Sequence, residues 1–212
     1  MPEERHHTSR QARANAATSG GTEAVGLALR GAMKVPGNTV LVASAIEHDA
    51  VISLANHVEE WRVSRDGVVD LDWLRQRVAE LKADGHRPLV SLMLVNNETG
   101  VIQPVAEAAE IAHAAGGLIH CDAIQALGKI DISVIDVDVD YLSLSAHKAG
   151  GPQGVGATYV KAGAPFVPVQ AGGGQEFGRR AGTENVAGIA GFAAAAETAA
   201  QATGHLRAAL GR

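Results

Sequence analysis

Several things are scarce in this chain. Its 212 residues hold one cysteine, Cys121, so no internal disulfide can form and nothing favours an oxidising compartment. Aromatic residues are 3% of the total, too few to build stacking platforms for single-stranded nucleic acid. Positive charge is not in excess. Against 23 Asp and Glu stand 18 Lys and Arg, a formal net charge of −5 with both signs dispersed, which offers no basic field to DNA or RNA. No apolar run reaches membrane-spanning length, and the polar opening Met1-Pro2-Glu3-Glu4-Arg5 is not a secretory signal. These absences lead to the expectation of a cytoplasmic protein with neither nucleic acid nor membrane as partner.

Small and apolar residues are plentiful. Hydrophobic residues make up 46%, and the 25 glycines suit tight turns and close-packed helices. A chain of this length can bury on the order of 70% of its unfolded surface around one core. The first residues, through Ala17, are polar and carry His6-His7 without periodicity, and they read as an irregular terminal segment rather than a metal site. From Thr18 onward strand-like and helix-like patterns alternate. Strands are expected at Thr39–Ala43, Trp61–Val63, Leu89–Val95, Leu118–Cys121, Tyr141–Leu144 and Ala157–Val160. Helices are expected at Thr22–Ala32, Ala50–Glu60, Asp70–Ala83, Val105–Ala115 and Val186–Ala200. Such alternation calls for an α/β fold, a mostly parallel sheet sandwiched by helices. Residues 18–212 form one expected domain.

The most informative segment is Leu142-Ser143-Leu144-Ser145-Ala146-His147-Lys148, followed by Ala149-Gly150-Gly151-Pro152-Gln153-Gly154. A lysine at the carboxyl end of a buried strand sits where open α/β sheets bind ligands. An ammonium is costly to desolvate there, which frees its amine as a nucleophile toward carbonyl groups. The natural partner is pyridoxal phosphate (PLP), held as a Schiff base. A surface lysine in a strand-to-turn connection is the plainer reading.

Other segments carry weaker signals of the same kind. Thr18-Ser19-Gly20-Gly21-Thr22 opens a helix with glycines and hydroxyls, which suits a phosphate or an ordinary N-cap. His48, in Glu47-His48-Asp49, offers a ring for stacking on a flat cofactor or a cap for a helix. Asn96-Asn97-Glu98-Thr99-Gly100 follows an apolar strand and reads as a polar site edge or an Asn turn. Asp122 ends a strand, with Gln125 one turn later if a helix begins there. Its carboxylate would pair with a protonated pyridine nitrogen or cap that helix. Gly172 to Gly174 and Arg179 to Asn185 again suit anion binding or a solvated loop. The argument lies in convergence, because Asn97, Asp122 and Lys148 each follow an apolar strand and the fold gathers such ends on one edge.

In this order the motifs resemble the PLP-binding large domain of the cysteine desulfurases, within the class V aminotransferases of PLP fold type I. Ser145-Ala146-His147-Lys148 with Gly151-Pro152-Gln153-Gly154, the Asn-Asn-Glu-Thr-Gly turn and Arg180-Ala181-Gly182-Thr183-Glu184-Asn185 carry the resemblance, which runs from about Thr18 to about Ala196. It implies that Lys148 is the Schiff-base lysine, that His48 stacks on the ring and that Asp122 pairs with the ring nitrogen. Gln125 and Asn97 would lie near the phenolic oxygen or the substrate. Gly21, Thr22, Ser145 and His147 would hold the phosphate, and Thr183 would reach the phosphate of a neighbouring subunit in a homodimer.

The implied activity converts L-cysteine to L-alanine, passing sulfur to an acceptor protein as in iron–sulfur cluster assembly. Selenocysteine lyase chemistry, another class V relative and a non-catalytic PLP-binding or dimerising fragment are the alternatives. The family's Asp-Asn-Ala-Ala-Thr-Thr-type opening, its smaller carboxyl-terminal domain, its mobile-loop cysteine and its substrate-carboxylate arginine have no counterpart in the sequence. The expectation is therefore a large domain cut at both ends, whose activity alone is open. Cys121, beside Asp122 on a strand, is expected to be an inert structural thiol.

Overall fold

A computed structural model describes residues 15–54 and 59–210, with side-chain surroundings through residue 201. Seven strands form one sheet in the order β1-β7-β6-β5-β4-β2-β3. They are β1 (Asn15–Thr18), β2 (Thr39–Ser44), β3 (Glu59–Trp61), β4 (Arg87–Met93), β5 (Leu118–Asp122), β6 (Tyr141–Ser145) and β7 (Gly156–Val160). From β3 across to β6 all neighbours are parallel, while β7 runs antiparallel to β6 and β1 antiparallel to β7.

Helices cover both faces. The helix α1 (Gly21–Met33) lies on one side, with the short α2 (Asp49–Ile52) beside it. On the other side lie α3 (Leu71–Ala83) and α4 (Val105–Ala114), and α5 (Val186–Leu210) closes the described chain. The strand side chains alternate as burial on two faces requires. Val42, Val90, Leu92, Ile119 and Leu142 meet α3 and α4, whereas Leu41, Leu89, Leu118 and Tyr141 meet α1. Small residues let α1 sit close: a Cβ on Gly31 would lie 2.2 Å from the Phe166 ring. Asp70 caps α3 as its position suggested, its Oδ1 accepting the N–H groups of Asp72 and Trp73 at 3.0 Å.

The sequence and the structure differ in several places, and the last helix, expected over Val186–Ala200, runs on to Leu210. The irregular opening does not extend to Ala17, because Asn15–Thr18 is a strand paired with Gly156–Tyr159 and its Ala16 is fully buried. The helix expected over Ala50–Glu60 stops at Ile52. Glu59–Trp61 pairs with Val42–Ser44, so the third strand begins two residues early, since that register buries Trp61; residues 55–58 lie outside the described ones. The strand expected through Val95 ends at Met93, where Asn96 starts a tight turn bridged by Val95 and Ile102. No helix starts after Asp122, and Gln125 lies instead in a run of turns.

Candidate active site

The carboxyl ends of the parallel strands converge on a cavity of about 450 Å³. Its wall includes Lys148, Asp122, His48, Asn97, Gln125, Gly21, Thr22, Ser145 and His147. Nine of the ten residues singled out from the sequence are thus brought together by the fold. Thr183 is the tenth. It is exposed in a separate small pocket beside Thr18, Ser19 and Gly154.

One end of the cavity is shaped for an anion. The Gly20 cap of α1 provides no side-chain hydrogen bond, so the first-turn amides meet the cavity without a capping oxygen. Gly21 keeps the approach open there, since a Cβ would lie 2.5 Å from Ile124 Cδ1 and 3.3 Å from Ser145 Cβ and would make both give way. Gly156 lets β7 approach from behind: its Cβ would come within 2.7 Å of the Gly20 carbonyl carbon. Across the gap, Ser145 Oγ lies 2.9 Å from His147 Nδ1, holding both polar groups near the start of the helix. Glu23, in the first turn, ties the loop further on. It accepts the Ser19 N–H at 2.5 Å and the Arg180 Nε–H at 2.9 Å. Burial pushes its carboxyl up, but these bonds outweigh burial and hold it below the ordinary carboxylate range.

Lys148 follows β6 within a single 3₁₀ turn, Ala146–Lys148. Its side chain is exposed rather than desolvated, which corrects the expectation of a buried amine; it stands at the open mouth of the cavity. Asp122 is buried at the end of β5, and its Oδ1 accepts the Ile124 N–H at 2.9 Å. Burial raises its pKa to about 6, moderated by the Ile124 bond and by His48. His48 is the N-cap of α2. Its Nδ1 accepts the Ala50 N–H at 3.0 Å, which leaves the ring proton on Nε2. His48 thus caps α2, whereas Asp122 closes a turn rather than capping a helix, and both side chains border the cavity.

The Asn turn divides its labour. Asn96 is scaffold, its Oδ1 accepting the N–H groups of Glu98 and Thr99 at 3.0 and 2.9 Å while its Nδ2 donates to the Ile46 carbonyl. Asn97 points to the cavity and donates to Glu98 Oε1 at 2.7 Å. Gln125 accepts from Lys129 Nζ at 2.9 Å. Cys121 is fully buried on the opposite face of β5, and burial pushes its thiol well above the ordinary range, with Asp122 and Glu47 adding to it. The residue that sequence reasoning missed is Glu47. It is buried behind Asp122, and the signal that could have found it is a carboxylate three residues after the end of β2.

The arrangement offers an amine for a carbonyl carbon, amides and hydroxyls for a phosphate, and a carboxylate for a cationic ring nitrogen. Comparisons with known proteins agree with that chemistry. The model of the aminotransferase class-V family matches residues 14–209. A cysteine desulfurase of Cereibacter sphaeroides is 46% identical over 191 residues, covering 86% of this chain and 48% of the relative. The cysteine desulfurase IscS of Clostridium botulinum is 40% identical over 192 residues, with 86% and 47% covered. Among solved structures, a NifS-like protein superposes with a TM-score of 0.83 at 38% identity, over 91% of this chain and 55% of that one. DndA from Streptomyces lividans gives 0.79 at 34%, over 93% and 58%. The chain spans about half the length of the curated relatives it matches.

Proposed function

Because this chain belongs to the class V aminotransferase family, we propose that it is the PLP-binding large domain of a cysteine desulfurase-like enzyme. One observation carries the reading: a single cavity gathers Lys148, Asp122, His48 and the uncapped start of α1. Those donors fit the family's cofactor. The phosphate needs amides and hydroxyls, supplied by Gly21, Thr22, Ser145 and His147. The ring nitrogen needs a buried anion, which Asp122 is, and the aldehyde needs an amine, which Lys148 is.

When bound, PLP supplies an electron sink for the pair released at the α-carbon of an amino acid. The side chains do the rest. Lys148 would hold the cofactor through Nζ, and its amine would carry the substrate's α-proton. Asp122 keeps the ring nitrogen protonated through a charge-assisted hydrogen bond. His48, fixed by its cap bond to Ala50, presents one ring face and an Nε2–H to the cavity. Asn97 and Gln125 orient the polar substituents of cofactor and substrate.

The substrate is L-cysteine. Its C–S bond breaks, the sulfur passes to an acceptor thiol as a persulfide, and the carbon skeleton leaves as L-alanine. Cys121 is not that acceptor, because it is buried on the face of the sheet away from the cavity. Thr183 acts on a neighbouring copy's phosphate in a homodimer, a role that its exposure beside Gly154 supports. The test is PLP titration by absorbance, followed by alanine release from cysteine with and without an added thiol acceptor. PLP that binds without a lysine adduct, or an amino acid other than cysteine turned over preferentially, would overturn the reading.

A further inference from the structure

A row of polar groups runs across the sheet beneath the cavity. On the α1-facing side, β4 carries Leu89, Ser91 and Met93, β5 carries Leu118, His120 and Asp122, and β6 carries Tyr141, Ser143 and Ser145. On β5 and β6 this face turns from apolar to polar toward the cavity, while β4 places Ser91 between Leu89 and Met93. In the middle layer Ser91 Oγ lies 3.0 Å from His120 Nδ1, and His120 Nε2 lies 2.9 Å from Ser143 Oγ. At the β4 end Ser91 Oγ is 3.3 Å from Glu47 Oε2. The other carboxyl oxygen, Oε1, accepts the Met93 N–H at 2.6 Å and the Ser44 hydroxyl at 2.8 Å. All these residues are buried, and neither Glu47 nor His120 borders the cavity.

Proton counting leaves this chain two orders. With Glu47 ionised, Ser91 donates to Oε2, His120 donates from Nδ1 to Ser91, and Ser143 donates to Nε2. With Glu47 protonated on Oε2, every bond reverses: Glu47 donates to Ser91, Ser91 to Nδ1, and Nε2–H to Ser143. Both orders give each contact along the row one donor and one acceptor, and they differ by one proton and by the tautomer of His120. Asp122 lies close enough to Glu47 for their charges to repel, so two buried carboxylates here are costly together.

We propose that Glu47 is a positioning residue that keeps the proton of this carboxyl pair, so that Asp122 faces the cavity ionised, with His120 and its two serines as the relay that accommodates that proton. The assignment of Asp122 to the ring nitrogen is the reading on which it rests. Asp122 has the Ile124 N–H and His48 to favour its anion; Glu47 accepts the Met93 N–H and the Ser44 hydroxyl on Oε1, while its Oε2 meets a hydroxyl chain that can run in either direction. The titratable groups around the pair act accordingly. Burial first, then Asp122, raises Glu47, and burial raises Asp122 as well. His120 stays neutral, pushed down to about 3 by burial, and the Cys121 thiol stays protonated.

The experiment is nitrogen-15 NMR of labelled histidine in the full chain without cofactor. In the wild type, His120 passes from the Nε2–H tautomer at pH 5.5 to the Nδ1–H tautomer above pH 8. Glu47→Gln, whose amide donates to Ser91 as the protonated acid would, holds Nε2–H throughout. Asp122→Asn, which removes the like charge, moves the wild-type midpoint to lower pH. A His120 tautomer that ignores pH in the wild type, or that switches equally in Glu47→Gln, overturns the proposal. The readout needs no cofactor, so it is separable from the functional reading. If the tautomer switches while PLP fails to attach to Lys148, the proton store stands and the assignment of Asp122 to the cofactor falls.

Discussion

Asp122 Oδ1 accepts the Ile124 N–H at 2.9 Å while the same carboxylate walls the cavity that holds Lys148. One side chain thus ends a strand, closes the turn after it and presents charge to a ligand. Asp122→Asn can keep the first two tasks, because its amide oxygen still accepts from Ile124. It should lose the third. A charge-assisted bond contributes roughly 1.5–3 kcal/mol, so PLP affinity should fall by about 10- to 150-fold. Exchange of the α-proton of added amino acids with solvent deuterium should nearly cease. Exchange at the wild-type rate would leave Asp122 as a turn cap alone.

Lys148 should be the residue that carries the cofactor. Borohydride reduction of the PLP-loaded chain, followed by peptide mapping, should place the adduct on Lys148, and Lys148→Ala should abolish it. Lys129 is the internal control, since it borders a neighbouring pocket together with Lys148. An adduct that persists on Lys129 or Lys161 in the variant would refute the assignment.

Stability of the cofactor-free chain should depend on pH through Glu47. Burial and then Asp122 raise its folded pKa from 4.5 to about 7. Between those values the folded state holds a proton that the unfolded state has released, so this contribution is full below 4.5 and is lost as pH rises through 7. Denaturant titrations of wild type and Glu47→Gln should show the wild type losing ground as pH rises across that window. The total loss is on the order of 3 kcal/mol. A difference between the two that is independent of pH would mean that Glu47 is ionised throughout.

Cys121 should resist thiol reagents until the chain unfolds. Its side chain is fully buried among the residues that meet α3 and α4. Cys121→Ala should cost roughly 1 kcal/mol through lost packing and leave PLP attachment unchanged. Sulfide release from cysteine, whatever its level, should be the same in both proteins. Release that vanished in the variant would place this thiol in the chemistry.

The sequence alone determined the class of fold, and nine of the ten residues it singled out line the cavity. Short Val, Leu and Ile runs alternating with amphipathic segments leave little besides a parallel sheet with covered faces, and such a sheet brings its carboxyl ends together. Asn97, Asp122 and Lys148 were legible because each interrupts an apolar run at its end. The tertiary structure decided whatever depends on register and on approach from elsewhere in the chain. Pairing of Ser44 with Trp61 replaced the end of an expected helix by an edge strand, because local periodicity does not record what lies alongside. The exposure of Lys148 follows from how the 3₁₀ turn leaves β6, a feature no residue type announces. The row Ser91, His120 and Ser143 is three ordinary polar residues far apart in sequence, joined only when β4, β5 and β6 come side by side and the β2–α2 turn brings Glu47 against them.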